Sequence, residues 1–545
     1  MKNITCFHEH LINACLVSKK IPLLLFTILL TIPFLNAQVS LVKDIGTTNF
    51  PGTDPKQLIA YNGNLLFSAG PDQNNFTLWL SDGTDSGTVS IKDLGNPFQK
   101  PGDFYYSSQL NLVLFKSYPS NPGGTSVWIT DGTETGTEKL SNTFTFIDNF
   151  YEFNNEVYFQ GGSSLTLAKT DGSTSGTVIV GNSILAPSSF ATLNDNLLFS
   201  GLINTFNSQN ELISSDGTES GSFIVKDINP GFPGSFPDEL ILYNNKIYFS
   251  ANTNLNGREL WVTDGTNSGT VMVDDLNTGS ASSNPTNLIL FDNELYFTAD
   301  DGISGVELYK MDTNETITQV FDINIGANSS NPSNLTIYNN RLYYSADDGL
   351  NGIEPWVTYN GAIIDRALNT VILKDINTSP SSPDSNPIGF TEYFGELYFA
   401  ADDGVNGIEL WKTNGADLGT VLVDDINPTG DSNPQGLTVA NNRLFFAAND
   451  GTTGIELWKY QDPTLTLNEF DNHEFALFPN PTTDSFTIKS NDVINSVSIF
   501  DVQGKTVKSF SNGLVTYSIS DLNSGLYFVR IKSSKGGTTK KLLKQ

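Results

Sequence analysis

Cysteine and histidine are almost missing from this chain. Both cysteines, Cys6 and Cys15, and two of the 3 histidines, His8 and His10, sit in a short N-terminal stretch. Lys19 and Lys20 then precede an apolar run from Ile21 to Leu35, which reads as a secretory signal peptide over residues 1–37 with cleavage after Ala37. The run is about fifteen residues long and carries Pro22 and Pro33, too short to cross a bilayer as a helix. What remains after cleavage has no cysteine, a single histidine (His473) and no further transmembrane segment. Disulfides, Cys/His zinc sites, thiol nucleophiles and Ser-His-Asp catalysis within the body are thereby excluded for want of ligands or bases.

Basic residues are the next scarcity. Residues 39–470 hold 17 Lys and Arg against 52 Asp and Glu, a net of −35, whereas residues 471–545 hold 9 against 6, a net of +3. The two parts are built for different surroundings. An acidic body repels phosphate backbones, so nucleic acid is not a partner, while cations and neutral or basic ligands stay open. The same charge also serves plain solubility.

Helical periodicity is lacking too, and a repeat stands in its place. Gly257 to Leu276, GRELWVTDGTNSGTVMVDDL, reads as two strands, Glu259-Leu260-Trp261-Val262 and Thr270-Val271-Met272-Val273, around a turn rich in Asp and Gly. Aligned on Trp261, the column Trp79, Trp128, Ala168, Ile213, Trp261, Tyr309, Trp356, Trp411 and Trp458 recurs at intervals of 40 to 55 residues and takes in all 6 tryptophans. That period belongs to propellers and solenoids. In the sixth unit four strands are expected, at Asn287–Phe291, Glu294–Thr298, Val306–Lys310 and Thr316–Phe321. Four antiparallel strands per unit make a propeller blade.

The last unit stops at Trp458-Lys459-Tyr460-Gln461-Asp462 without a fourth strand, and the segment Val39 to Ile45 matches the strand it lacks, as in Val225 to Ile228. The expected fold is all-β: a β-propeller of four-stranded blades closed by the N-terminal strand, followed by a small C-terminal β-sandwich. Nine units are counted; the irregularity around Trp128 and Ala168 leaves eight as an alternative, and an open superhelical stack competes with the ring.

These residues resemble the ELWxxDGTxxGT repeat family of secreted bacterial proteins over residues 39–462. The full motif stands at Glu259 to Thr270, and Asp312-Thr313-Asn314 and Tyr359-Asn360-Gly361 depart from it. The resemblance implies an extracellular or envelope-associated protein and no established chemistry.

After a polar linker at 463–474 the texture changes. Residues 475–545 read as about seven short strands, a small sandwich. Pro479-Asn480-Pro481, the turn Asp501 to Gly504-Lys505, the strand at Gly525-Leu526-Tyr527 and the terminal Lys540-Lys541 make this segment similar to the type A sorting domain of the type IX secretion system. The resemblance implies a Bacteroidota cargo protein that the signal peptide carries to the periplasm and the type IX machinery, its partner, delivers outside or onto the cell surface.

Four candidate sites arise. The tryptophans read as packing between sheets, with carbohydrate stacking as the alternative. Glu211, Glu259, Glu307, Glu354, Glu409 and Glu456 stand two residues before that column, on the same strand face, and read as buried groups bonded to turn amides or as an acidic ring for a ligand. Asp227-x-Asn229, Asp275-x-Asn277 and Asp322-x-Asn324 space oxygen ligands as calcium loops do, without the closing acid, since Thr286 and Ser333 hold the twelfth positions; turn capping explains the same residues. The Asp-Asp-Gly turns at Asp300, Asp347 and Asp402 share this ambiguity. Paired carboxylates for glycoside chemistry exist by number alone. The function expected is binding or adhesion to an extracellular polymer or protein. A carbohydrate-active hydrolase or lyase using channel carboxylates, and a calcium-stabilised structural surface protein, are the alternatives.

Overall fold

The structure is a computed structural model that describes residues 38–46, 52–70, 76–94, 100–118, 125–141, 144, 146–203, 209–359, 369–381, 383–462, 476–489, 494–501, 505–511, 516–533 and 537–545. The expected signal segment 1–37, the linker at 463–474 and Gly504 lie outside the described residues.

Between Thr286 and Phe321 the chain runs up and down through four antiparallel strands, Thr286–Phe291, Glu294–Asp300, Val306–Met311 and Ile317–Phe321. The expected strands fall within two residues of these bounds. Asp292 and Asn293 join the first pair with φ of 53° and 58°, a two-residue turn whose left-handed backbone suits Asn and Asp and matches the strand twist. Leu295 to Ala299 is buried on both faces, because each side of the sheet meets another sheet.

The same plan fills residues 38–461 with nine sets of four strands. In chain order the sheets cover Lys56–Lys92, Lys100–Lys139, Asp148–Ile179, Ile184–Lys226, Asp238–Met272, Thr286–Phe321, Ser333–Ile372, Ile388–Asp424 and Gln435–Gln461. The third and fourth sheets are linked by a single pairing, Thr166 with Leu185. The fourth strand of the third sheet is Val178–Ile179, and beside it the ten-residue strand Ile184–Leu193 begins early enough to reach the edge of Thr166–Thr170. The units around Trp128 and Ala168 thus each hold four strands of their own, and the second of them is joined at an edge to the unit around Ile213.

The ninth sheet takes its fourth strand from the start of the described chain. Gln38–Lys43 pairs antiparallel with Ile455–Gln461, with Val39 opposite Tyr460 and Leu41 opposite Trp458. Thr53 and Asp54 both donate from their backbone N–H to the Ile455 carbonyl, at 2.8 and 3.0 Å. Pairing covers what would be an open sheet edge.

An apolar cluster lies between each sheet and the next. Tyr248, Leu260 and Val262 of the fifth meet Leu295, Phe297 and Tyr309 of the sixth. A ninth such cluster joins the two ends, with Val42, Phe445 and Leu457 against Leu65 and Phe67 of the first sheet. Apart from the second and third sheets, the first strands of neighbouring sheets also lie side by side, and that of the ninth lies beside that of the first.

The tryptophans take part in these clusters: Trp261 packs with Leu198 and Phe249, Trp411 with Tyr343 and Phe399. Trp79 stacks on Phe67 at 6.2 Å and Trp128 on Phe115 at 6.1 Å. The C-terminal segment forms seven strands in two sheets, one of three strands and one of four, around Phe486, Val497, Ile499, Tyr517, Val529 and Ile531. Among the described residues no helix is long and apolar enough to cross a membrane.

Candidate functional site

The Asp-Gly-Thr turn explains its own sequence. Oδ1 of Asp264 accepts from the Thr266 N–H at 2.9 Å and from its hydroxyl at 2.7 Å, while the Thr266 hydroxyl accepts from the Gly269 N–H at 3.0 Å. Gly265 holds φ at 90°, and a Cβ on Gly269 would stand 2.1 Å from the Asp264 carboxylate. Thr263 and Thr270 share a hydroxyl pair at 2.7 Å beneath the turn. The same bonds recur at Asp82, Asp131, Asp171 and Asp216. The motif is therefore a structural clasp. Gly269→Ala is expected to cost about 2 kcal/mol in denaturant unfolding, more than loss of the Asp264 side chain, because the added methyl displaces the carboxylate instead of merely removing a bond.

The glutamate column is buried and saturated. Glu259 is 0% exposed and accepts from the Ser283 N–H at 2.8 Å, the Leu276 N–H at 3.2 Å and the Ser283 hydroxyl. Glu211, Glu307 and Glu409 hold Ser235, Ser330 and Ser432 in the same way. Glu354 takes the N–H of Ile376 and Asn377 and the Ser385 hydroxyl. Glu456 takes the N–H of Ile45 and Gly46 and the Thr53 hydroxyl, so it clips the leading segment to the ninth sheet. Each clip fastens the loop that leads to the next sheet. Burial pushes all six carboxyls up and outweighs the bonds that favour the charged form; Glu354 and Glu456 reach about 7. The serine partners carry a sequence signal of their own, the recurring Ser-Asn-Pro at Ser283, Ser330, Ser385 and Ser432.

The Asp-x-Asn candidates lie in these same loops. Asn229 accepts at Oδ1 from the Asn254 N–H at 3.0 Å and donates from Nδ2 to the Pro233 carbonyl at 2.6 Å. Nδ2 of Asn277 and of Asn324 donates to the Ser282 and Ser329 carbonyls. A Cβ on Gly302 or Gly349 would meet Oδ1 of Asn277 at 2.6 Å or of Asn324 at 2.7 Å, so each loop is seated on the second hairpin of the next sheet. Asp275 and Asp322 use one carboxylate oxygen on the N–H of Gly279 and Gly326, both at 3.2 Å. Their other oxygens are buried with no hydrogen-bond partner, as is Oδ1 of Asp425. Asp227 lies close enough to Glu211 to raise its pKa. Among the described residues no group of three or more His, Cys, Asp and Glu is gathered as metal ligands.

Each first strand carries a bulge, and the residue at which it opens has positive φ in every sheet. Gln57, Asn149, Ser189, Asn287 and Asn334 occupy five of these nine places, Gly389 and Gly436 two, and Asp103 and Glu239 the others. Asp103 is paired with the buried Lys116, which also lies 3.5 Å from Asp148. Glu239 accepts from the Leu288 N–H at 3.2 Å.

In the C-terminal segment Asn480 closes the domain on itself. Its Oδ1 accepts from the Leu543 N–H at 2.9 Å and its Nδ2 donates to the Lys541 carbonyl at 2.8 Å. Pro479 and Pro481 flank it, each after a cis peptide bond. The Lys505 N–H bonds Oδ1 of Asp501 at 3.0 Å, and the Tyr527 hydroxyl bonds the Asn523 carbonyl at 2.9 Å. Gly525, Lys540 and Lys541 lie on the last two strands, with Lys540 opposite Val529. Residues 476–545 match the family model for the secretion system C-terminal sorting domain. This segment is a type IX sorting domain. The sorting domain implies interaction with the type IX machinery and secretion to the cell surface or the extracellular space.

No curated protein matches the chain. Among solved structures, PorZ of Porphyromonas gingivalis, described as a bacterial surface component of the type IX system, is 10% identical with a TM-score of 0.32 over 90% of this chain and 86% of that one. The extracellular domain of BT4673 from B. thetaiotaomicron is 9% identical with a TM-score of 0.33, over 92% and 76%. The β-propeller domain of the Trilobed protease from Pyrococcus furiosus is 12% identical with a TM-score of 0.33, over 57% and 96%. At these scores the likenesses carry no functional argument.

Proposed function

We propose that the chain is an exported binding protein. In this reading a signal peptide at 1–37 and the sorting domain deliver a nine-bladed propeller of the ELWxxDGT kind, over residues 38–462, to the outside of a Bacteroidota cell. The leading strand closes the ring, and loops at one end take an extracellular polymer or protein. The observation that carries the binding reading is the row of bulges on the first strands. A ring built this way would line its channel with repeat-equivalent, mostly small and polar side chains, which suits recognition more than acid–base chemistry, and the glutamate column is spent on fastening loops. A glycan and matrix-protein binding screen with the full chain tests this. Saturable binding of one ligand class is expected; turnover of a glycan without retention would favour the hydrolase or lyase reading.

A second reading rests on a different observation. The buried, unpartnered oxygens of Asp275, Asp322 and Asp425 recur at one repeat position, and an oxygen-seeking cation such as calcium would satisfy them. In that reading Asp275 with Asn277 and Asp322 with Asn324 contribute side-chain oxygens, and Asp227 with Asn229 forms the equivalent pair. Melting with millimolar calcium and with a chelator decides it: an upward shift with calcium supports the site, and identical midpoints remove it.

A further inference from the structure

In an up-and-down sheet the first and third turns lie at one end, and the second hairpin and the loop to the next sheet lie at the other. The seating of Asn277 on Gly302, Asn324 on Gly349, Asn377 on Gly404 and Asn427 on Gly451 confirms that these hairpins and loops share one end. The tips of four successive hairpins carry Leu255, Ile303, Leu350 and Val405, between 75% and 86% exposed. Phe232 and Ile325 on the adjoining loops are 84% and 83% exposed. One bare aliphatic side chain on a surface is ordinary; the same repeat position left bare in four successive sheets is a patterned apolar surface.

Charge at this end is almost all of one sign, although Arg258, next to the 252–257 hairpin, donates to the Phe236 carbonyl at 3.0 Å. In the fifth to ninth sheets these segments, 227–237, 252–257, 274–285, 300–305, 322–332, 347–352, 375–387, 402–407, 425–434 and 449–454, contain 15 aspartates and no Lys or Arg. Cations gather at the opposite end, on the Asp-Gly-Thr turns and on their counterpart Asn414-Gly415-Ala416-Asp417. Lys374 pairs with Asp417 at 3.0 Å, Lys226 donates to the Thr270 carbonyl, Arg341 to the Gly415 carbonyl and Arg443 to the Asp82 carbonyl. The array is thus polarised along the direction of its strands.

We infer that this acidic, aliphatic-tipped end is the docking surface for a basic protein, one that offers apolar groups between lysine and arginine side chains. The inference rests on the binding reading and gives it a face and a partner chemistry. Fifteen carboxylates in large excess over the bases beside them repel an anionic lipid surface or an anionic glycan and draw in a cationic partner, with an attraction that salt screens. Aliphatic tips add contact that a polyamine or a hydrated sugar would not use, so a protein surface answers both features together.

The test uses the full chain and two probes of equal charge, an eighteen-residue peptide of lysine and leucine and an oligo-lysine. The leucine-bearing peptide is expected to bind at least about tenfold more tightly, and to weaken at least about tenfold between 50 and 500 mM salt. The variant L255S/I303S/L350S/V405S is expected to bind it no better than oligo-lysine at an unchanged melting midpoint. Leu418→Ser, at an exposed residue of the opposite end, is expected to leave binding intact. Equal affinity for the two probes, or a fourfold variant that binds like the parent, overturns the inference. So does retention on phosphatidylcholine vesicles that the fourfold variant abolishes, which would make the tips a membrane contact. Should the ligand screen find a glycan or protein whose binding ignores the fourfold variant, the binding reading stands and this face is the wrong one; with no ligand in either experiment, the binding reading itself falls.

Discussion

Deleting Gln38–Lys43 is expected to unfold the ninth sheet and to drag the melting midpoint of the whole array down by ten degrees or more. The strand makes a five-pair antiparallel ladder with Ile455–Gln461 and buries Val39 and Val42. At about 1 kcal/mol per hydrogen bond and about 2 kcal/mol per buried valine, the direct loss is roughly 6 kcal/mol or more. The indirect loss is larger. Without the strand, Tyr460 and Trp458 face an open edge, and the cluster that joins the ninth sheet to Leu65 and Phe67 loses a wall. A total stability of about 5–15 kcal/mol cannot absorb this locally. The converse experiment stabilises. Ser40 and Lys459 are register partners, and cysteines placed at both would bridge the two ends of the array in a chain from Gln38 onward that has no other thiol. Closing so long a loop contributes about 6 kcal/mol in the chain-entropy account. A deletion that melts with the parent, or a cysteine pair that never cross-links under oxidation, would reject the proposed closed ring.

Much of this arrangement is legible from the residues because the determinants are local and periodic. The tryptophan column marks one strand in six sheets, since a large ring at a fixed strand phase has a neighbouring sheet to fill. Asn and Gly at the turns mark reversals through their tolerance of positive φ. The missing last strand and its match at Val39 to Ile45 reveal the pairing with the ninth sheet, as both halves of a strand pair carry the same repeat. The clips are half legible: Glu259 and its equivalents stand out by spacing, but Ser283 is 24 residues away and shows only as a recurring Ser-Asn-Pro. The edge linking the third and fourth sheets is not legible at all. It follows from the length of Ile184–Leu193, the longest of the first strands, since Glu138–Lys139 and Val271–Met272 are as short as Val178–Ile179 and leave their sheets separate, and strand length at an edge is decided by pairing in three dimensions. Nor do the exposed tips announce themselves, because Ile303, between the Asp-Asp-Gly turn and the strand from Val306, carries nothing in its sequence that says an apolar side chain there faces solvent.

The clips make a second large prediction, one that runs against the usual acid sensitivity of proteins. A carboxyl whose folded pKa is raised binds its proton more tightly in the fold than in the unfolded chain, so its contribution is complete below the unfolded value and is lost as pH rises through the folded one. For Glu354 and Glu456 that window runs from about 4.5 to about 7, and each is worth about 3 kcal/mol at most at the top of it. Glu211, Glu259, Glu307 and Glu409 shift in the same direction for the same reason, burial. The turn aspartates oppose this at lower pH. Hydroxyl and amide donors from Thr or Ser hold Asp82, Asp171 and Asp264 below the ordinary carboxylate range, so their contribution is present above an unfolded pKa near 3.8 and lost as pH falls. Stability should therefore peak near pH 5 and decline by pH 8, by several degrees in the melting midpoint. The variant E354Q/E456Q imitates the protonated clips and should melt higher than the parent at pH 8, converge with it at pH 5, and show a flatter profile between. If the parent instead grows more stable from pH 5 to 8, the glutamates are charged in the fold. Their amide and hydroxyl donors would then outweigh burial, and the column would be a row of six buried anions in search of a cation.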